Sequence, residues 1–165
     1  MNKQRVTIIR LCSCLLICAA VFSGCSISQR VIPAPAGTNI DTLYIENNSA
    51  VLMSGLVEEI QRQARSMGYD TKIYSGERPK EAIYCLKYTA NWKWDMAMYL
   101  TFFHATLLEE DRVLGTAEYD ARSGGANVGK FGHTAEQLRP ILTQLLVNVR
   151  PTKAAVATAV GTIHE

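Results

Sequence analysis

The apolar patterning of the chain predicts an α+β fold: a single domain, β-α-β-β-β-β-α, with two helices packed on one face of a mainly antiparallel sheet. Three observations carry this. Apolar residues recur at helical spacing over 52–67 and again over 138–149. Between them, 84–120 alternates with the two-residue period of strands. The length of 165 residues, 48% hydrophobic and 19% charged, suits one compact core and excludes a disordered acidic or basic tail.

The elements follow in order. Asp41 to Glu46 reads as the first strand, with Leu43 and Ile45 one strand period apart. Asn47-Asn48-Ser49 offers turn and N-cap chemistry for a helix carrying Leu52, Leu56, Ile60, Ala64 and Met67, which Gly68 ends. Thr71 to Tyr74 is a short strand. From Tyr84, the positions Leu86, Tyr88, Ala90, Trp92 and Trp94 predict one apolar face, opposed by Lys87, Asn91 and Lys93. Met96 to Leu108 forms the next strand, the charged tip Glu109-Glu110-Asp111 turns the chain, and Arg112 to Asp120 returns. Arg122 to Gly132 holds four glycines and is a loop. Thr134-Ala135-Glu136-Gln137 reads as a capping box opening the second helix, whose stripe is Leu138, Ile141, Leu142, Leu145 and Val149. Pro140 is expected near its first turn, and Pro151 ends it.

In Met96 to Leu108 both parities are apolar, with Met98, Leu100 and Phe102 on one and Tyr99, Phe103 and Leu107 on the other. Helices can cover one face. The second is either covered by other parts of the chain or presents Tyr99, Phe103 and Leu107 to a partner.

The first 25 residues supply an address. Lys3, Arg5 and Arg10 precede an apolar run from Leu11 to Phe22. That run falls short of the roughly 20 residues a membrane span needs, so it reads as a secretory signal. Phe22-Ser23-Gly24-Cys25 then resembles the lipobox of bacterial lipoproteins, with Phe22 in place of the usual Leu. The resemblance implies signal cleavage between Gly24 and Cys25 and acylation of Cys25, palmitate included. It also implies that Ser26, not being Asp, directs the lipid-anchored protein to the outer membrane, facing the periplasm. Cys12, Cys14 and Cys18 lack the small-residue context.

The expected organisation is therefore a signal peptide over 1–24, the acylated cysteine and a flexible tether over 25–39, the α+β domain over 40–151, and a loose tail over 152–165. Pro33, Pro35 and Gly37 argue for the tether. Processing removes three basic residues and no acid, leaving 14 basic against 15 acidic residues. Such a balance has no electrostatic footprint for nucleic acid. Of five cysteines, only Cys85 would remain as a free thiol, and its apolar strand context predicts burial.

The lipobox, the element order, Asn91-Trp92-Lys93-Trp94-Asp95 and Gly129-Lys130-Phe131-Gly132 together resemble the Sbal-type family of Gram-negative lipoproteins. The architecture is also similar to small envelope-assembly lipoproteins, the LptE-like and ABC-transport auxiliary groups. Those resemblances imply an accessory subunit, not an enzyme.

Catalytic signals are weak. Gly124 to Lys130 matches the phosphate-loop string G-x-x-x-x-G-K, but Phe131 stands where a magnesium-holding Ser or Thr is needed. His104, His133 and His164 have no metal-site spacing, and no G-x-S-x-G string exists. No catalytic, cofactor or metal site is expected. The expectation is a non-enzymatic, membrane-anchored accessory or binding subunit that docks an envelope protein or itself. The alternative is a cell-wall or small-ligand binding module using Trp92 and Trp94 as an aromatic platform.

Overall fold

The computed structural model describes residues 27–125 and 127–152; the signal, Cys25 and the tail beyond Thr152 lie outside the described residues. The fold is α+β. Its strands are β1 (Ser28–Ile32), β2 (Asn39–Ile40), β3 (Thr42–Glu46), β4 (Asp70–Tyr74), β5 (Tyr84–Asp95), β6 (Ala97–Glu109), β7 (Arg112–Asp120) and β8 (Arg150–Pro151). Helix α1 spans Leu56–Ser66 and α2 spans Thr134–Leu145, with a 3-10 turn at Val128–Phe131.

Six strands form one sheet in the order β1-β7-β6-β5-β3-β4, while β2 and β8 pair separately. Pairing is antiparallel from β1 through β5 and parallel where β3 meets β4 and β5. Both helices cover one face. Ile60 and Ala64 of α1 and Leu138, Ile141, Leu142 and Leu145 of α2 share a core with Leu43, Leu86, Phe103, Leu107 and Ala117 of the sheet. The Gln63 amide of α1 donates to Ala135 O of α2 at 2.8 Å, tying the helices together. A smaller cluster on the other face, Tyr44, Tyr74, Ala82 and Cys85, lies under the loop after β4. Cys85 is buried, and burial pushes its thiol pKa up.

Several expectations are corrected. The segment expected to be a tether is built into the domain: Ser28 to Ile32 pairs with Asp120 to Thr116 of β7, and Ala34 is fully buried. Gly115 makes this possible, because a Cβ there would sit 2.6 Å from Ile32 O and 2.9 Å from Ala34 N. The Pro and Gly content of 33–37 turns the chain after β1 instead of freeing it. Helix α1 starts later than its apolar spacing suggests, capped by Gly55 at φ 84°, so Leu52 lies outside it and is exposed. The capping box does not form. His133 occupies the cap position without a side-chain bond, and the Gln137 amide donates to Lys130 O at 3.1 Å instead. Pro140 sits inside α2, which ends at Leu145, well before Pro151.

Candidate functional site

Strand directions gather one end of the molecule. By their pairing, β3, β4, β5 and β7 finish at this end, and β6 and β1 begin there. The register aligns Ser28, Asp120, Phe102 and Asn91 in one row across four strands. Beyond that row β5 and β6 continue alone, as a two-stranded ribbon from Trp92 to Thr101 that turns at Met96 with φ 60°. The four residues beyond Asn91, Trp92 to Asp95, carry it about 13 Å past its neighbours at the usual strand rise.

A bulge sets what the ribbon shows. Asn91 pairs with Phe102, but Trp92 pairs with Leu100, which leaves Thr101 as the extra residue on β6. Its hydroxyl donates to Asn91 O at 2.9 Å, and its carbonyl accepts from Ala121 N at 2.8 Å, so the irregular backbone stays hydrogen-bonded. The inserted residue switches parity, and Leu100, Phe103, Ala105 and Leu107 all point into the same core, each 0% exposed. The partner face expected from Tyr99, Phe103 and Leu107 is therefore not assembled. Phe103 and Leu107 are core residues, and Tyr99 alone is half-exposed. The outer face of the sheet carries mostly polar groups, including Lys87, Thr89, His104, Thr106 and Glu118, with the His104 ring 3.6 Å from Glu118. Phe102 there is covered by the Arg122 guanidinium, 4.5 Å from its ring centre.

The apolar surface lies elsewhere. Of the ten exposed large hydrophobic side chains among the described residues, six cluster at the ribbon end: Leu52, Trp94, Met96, Met98, Val128 and Phe131. Trp94 and Met98 are cross-strand partners and are 72% and 54% exposed. Trp92, on the same side of β5, is half-buried against the core. The two tryptophans expected to act together thus divide: one packs and one projects. Beside Trp92, a cavity of about 310 Å³ is lined by Leu52, Met53, Ala90 and Met98. Asn48 holds the neighbouring loop by donating to Tyr88 O at 2.8 Å.

Lys130 fixes the ribbon from its other side. Its ammonium lies 2.7 Å from Asp95 Oδ2 and 2.6 Å from Gly125 O, within about 5 Å of the Tyr99 and Phe131 ring centres (5.0 and 4.9 Å). The residue is only 5% exposed. The lysine of the phosphate-loop string is thus turned inward onto Asp95. Nothing in the spacing of Asp95 and Lys130 announces this pairing, which needs the loop after β7 to fold back on the ribbon.

No protein-family profile matches the sequence, and no curated protein matches it. Among solved structures, the chain is similar to the PelC dodecamer from Paraburkholderia phytofirmans in space group P6, at 12% identity and a TM-score of 0.50. The likeness covers 76% of this chain and 99% of that one. A single-substitution variant of the same dodecamer in space group C2 aligns at 12% identity and TM-score 0.49, covering 74% of this chain and 96% of that one. At this identity the likeness speaks to the fold alone.

Proposed function

We propose that the protein is a non-enzymatic lipoprotein of the bacterial envelope, anchored through Cys25 at the periplasmic side of the outer membrane and serving as an accessory subunit. The observation that carries this reading is the placement of the exposed apolar side chains. They gather at the end of the sheet where β1 begins, three residues after the cysteine of the lipobox-like string. The resemblance to Sbal-type and envelope-assembly lipoproteins supports the same reading. Self-association is the partner that the fold neighbour favours, since that protein is described as a dodecamer.

The expected outcome is that the full chain, expressed in a Gram-negative host, incorporates labelled palmitate and fractionates with the outer membrane, and that Cys25→Ser loses both properties. Incorporation that persists in Cys25→Ser refutes the anchor.

Binding of a cell-wall fragment or small apolar ligand is a second reading, favoured by exposed Trp94 and the cavity beside Trp92. Tryptophan emission unmoved by saturating peptidoglycan fragments removes the cell-wall form of it.

A further inference from the structure

We infer that the ribbon end of the domain is a membrane-contacting surface, with Trp94, Met96 and Met98 seated in the lipid interface beside the anchor. This rests on the lipoprotein reading and adds the occupant of the apolar end, which is lipid and not a protein.

The argument is one of reach. Cys25 stands three residues before Ser28, so its Cα lies at most about 10 Å beyond that of Ser28, even fully extended. Less of that chain is free than the count implies, because Ile27 already packs against the core and its side chain lies beside Gly124 and Gly129. Ser28 shares a row with Asn91, and the ribbon extends about 13 Å past that row. The ribbon therefore reaches at least as far as the cysteine can. With the strands upright on the membrane, acyl chains on Cys25 cannot enter the bilayer unless the ribbon tip meets its surface too. The interfacial layer on each side of the hydrocarbon is only about 5–8 Å thick, so meeting the surface places the tip within it.

The side chains suit that position. Trp favours the boundary between headgroups and hydrocarbon, and Trp94 is 72% exposed with Met98 across from it and Met96, 86% exposed, at the turn. Val128, 80% exposed, and Phe131 lie on the neighbouring turn, next to Ile27 through Gly129. Exposed Lys93 lies between the tryptophans in sequence, where its stem can pass apolar groups while its ammonium reaches phosphate. At the opposite end, the exposed apolar residues Ile32, Ile83 and Val113 are accompanied by Glu110, Asp111 and Arg112, which suits water.

The test uses the acylated full-length protein reconstituted in phosphatidylcholine vesicles, with brominated acyl chains as quencher from the lipid side and iodide from the water side. Trp92→Phe leaves Trp94 as the sole tryptophan, and Trp94→Phe leaves Trp92. The expected result is that Trp94 loses most of its emission to brominated lipid and is shielded from iodide, while Trp92 is quenched far less by lipid. Acylation confirmed by mass spectrometry, with Trp94 open to iodide and indifferent to brominated lipid, overturns the inference and leaves the lipoprotein reading standing. Trp94 shielded from both quenchers and crosslinking to a second copy likewise overturns it in favour of a protein contact. An unacylated chain overturns the lipoprotein reading and the inference with it.

Discussion

Single residues decide how the ribbon is held. Lys130 is nearly buried, and its ammonium has a carboxylate, a carbonyl and two aromatic faces around it. Replacing it with Met keeps the stem's packing but leaves Gly125 O and Asp95 without the charged donor. Because Asp95 is about half exposed, water recovers part of the loss. Lys130→Met should cost about 1–2 kcal/mol, read as a lower urea midpoint with unchanged slope, and faster amide exchange at 94–98 should accompany it. The pairing could not be read from the chain. Lys130 and Asp95 are 35 positions apart, and the glycine-rich string around Lys130 points toward phosphate chemistry instead. Cys85 is the opposite case, since its apolar strand context predicts the burial that is found.

At the scale of elements, what repeats regularly was legible and what breaks a period was not. The core positions of α1 and α2, Ile60, Ala64, Leu138, Ile141, Leu142 and Leu145, follow from their spacing. Gly68 indeed follows the end of α1, at φ 94° with its N–H bonded to Arg65 O. The face of β6 does not follow from its alternation, because a bulge at Thr101 shifts the period by one and a Thr in an apolar strand gives no warning of that. β1 was hidden for a different reason. Ser28-Gln29-Arg30-Val31-Ile32 is an edge strand with little burial, so no alternation marks it, and the residue that admits it lies far away at Gly115. Gly115→Ala would drive a methyl to within 2.6 Å of Ile32 O and 2.9 Å of both Ala34 N and Leu145 Cδ1. The expected cost is about 1–3 kcal/mol, checked by denaturant unfolding together with increased proteolysis within 28–34.

For the molecule as a whole, acid should be destabilising. The Arg122 guanidinium holds the Asp120 carboxyl below its ordinary pKa, and Arg112, followed by Tyr84, does the same for Glu109. A carboxylate whose pKa is depressed by folding adds stability above its unfolded value of about 4 and loses it as pH falls through the lower folded value. Both groups are solvent-facing, so the effect is modest. Melting temperatures should hold steady from pH 7 to 5 and fall below about pH 4, with Asp120→Asn flattening part of that fall. An unchanged profile in Asp120→Asn would assign the acid response to other groups.

The place of β1 has a kinetic meaning as well. Its partners in β7 lie 84 to 92 positions further along the chain, from Ile32↔Thr116 to Ser28↔Asp120. Contacts of that separation are slow to close, because the entropy of a large loop is lost before any pairing rewards it. A chain emerging from its N-terminus delivers β1 first and must leave it unpaired until β7 has followed. Through that interval the strand's amides and carbonyls stay open to any passing edge, and the six-stranded sheet is complete only once the chain has arrived as far as Asp120.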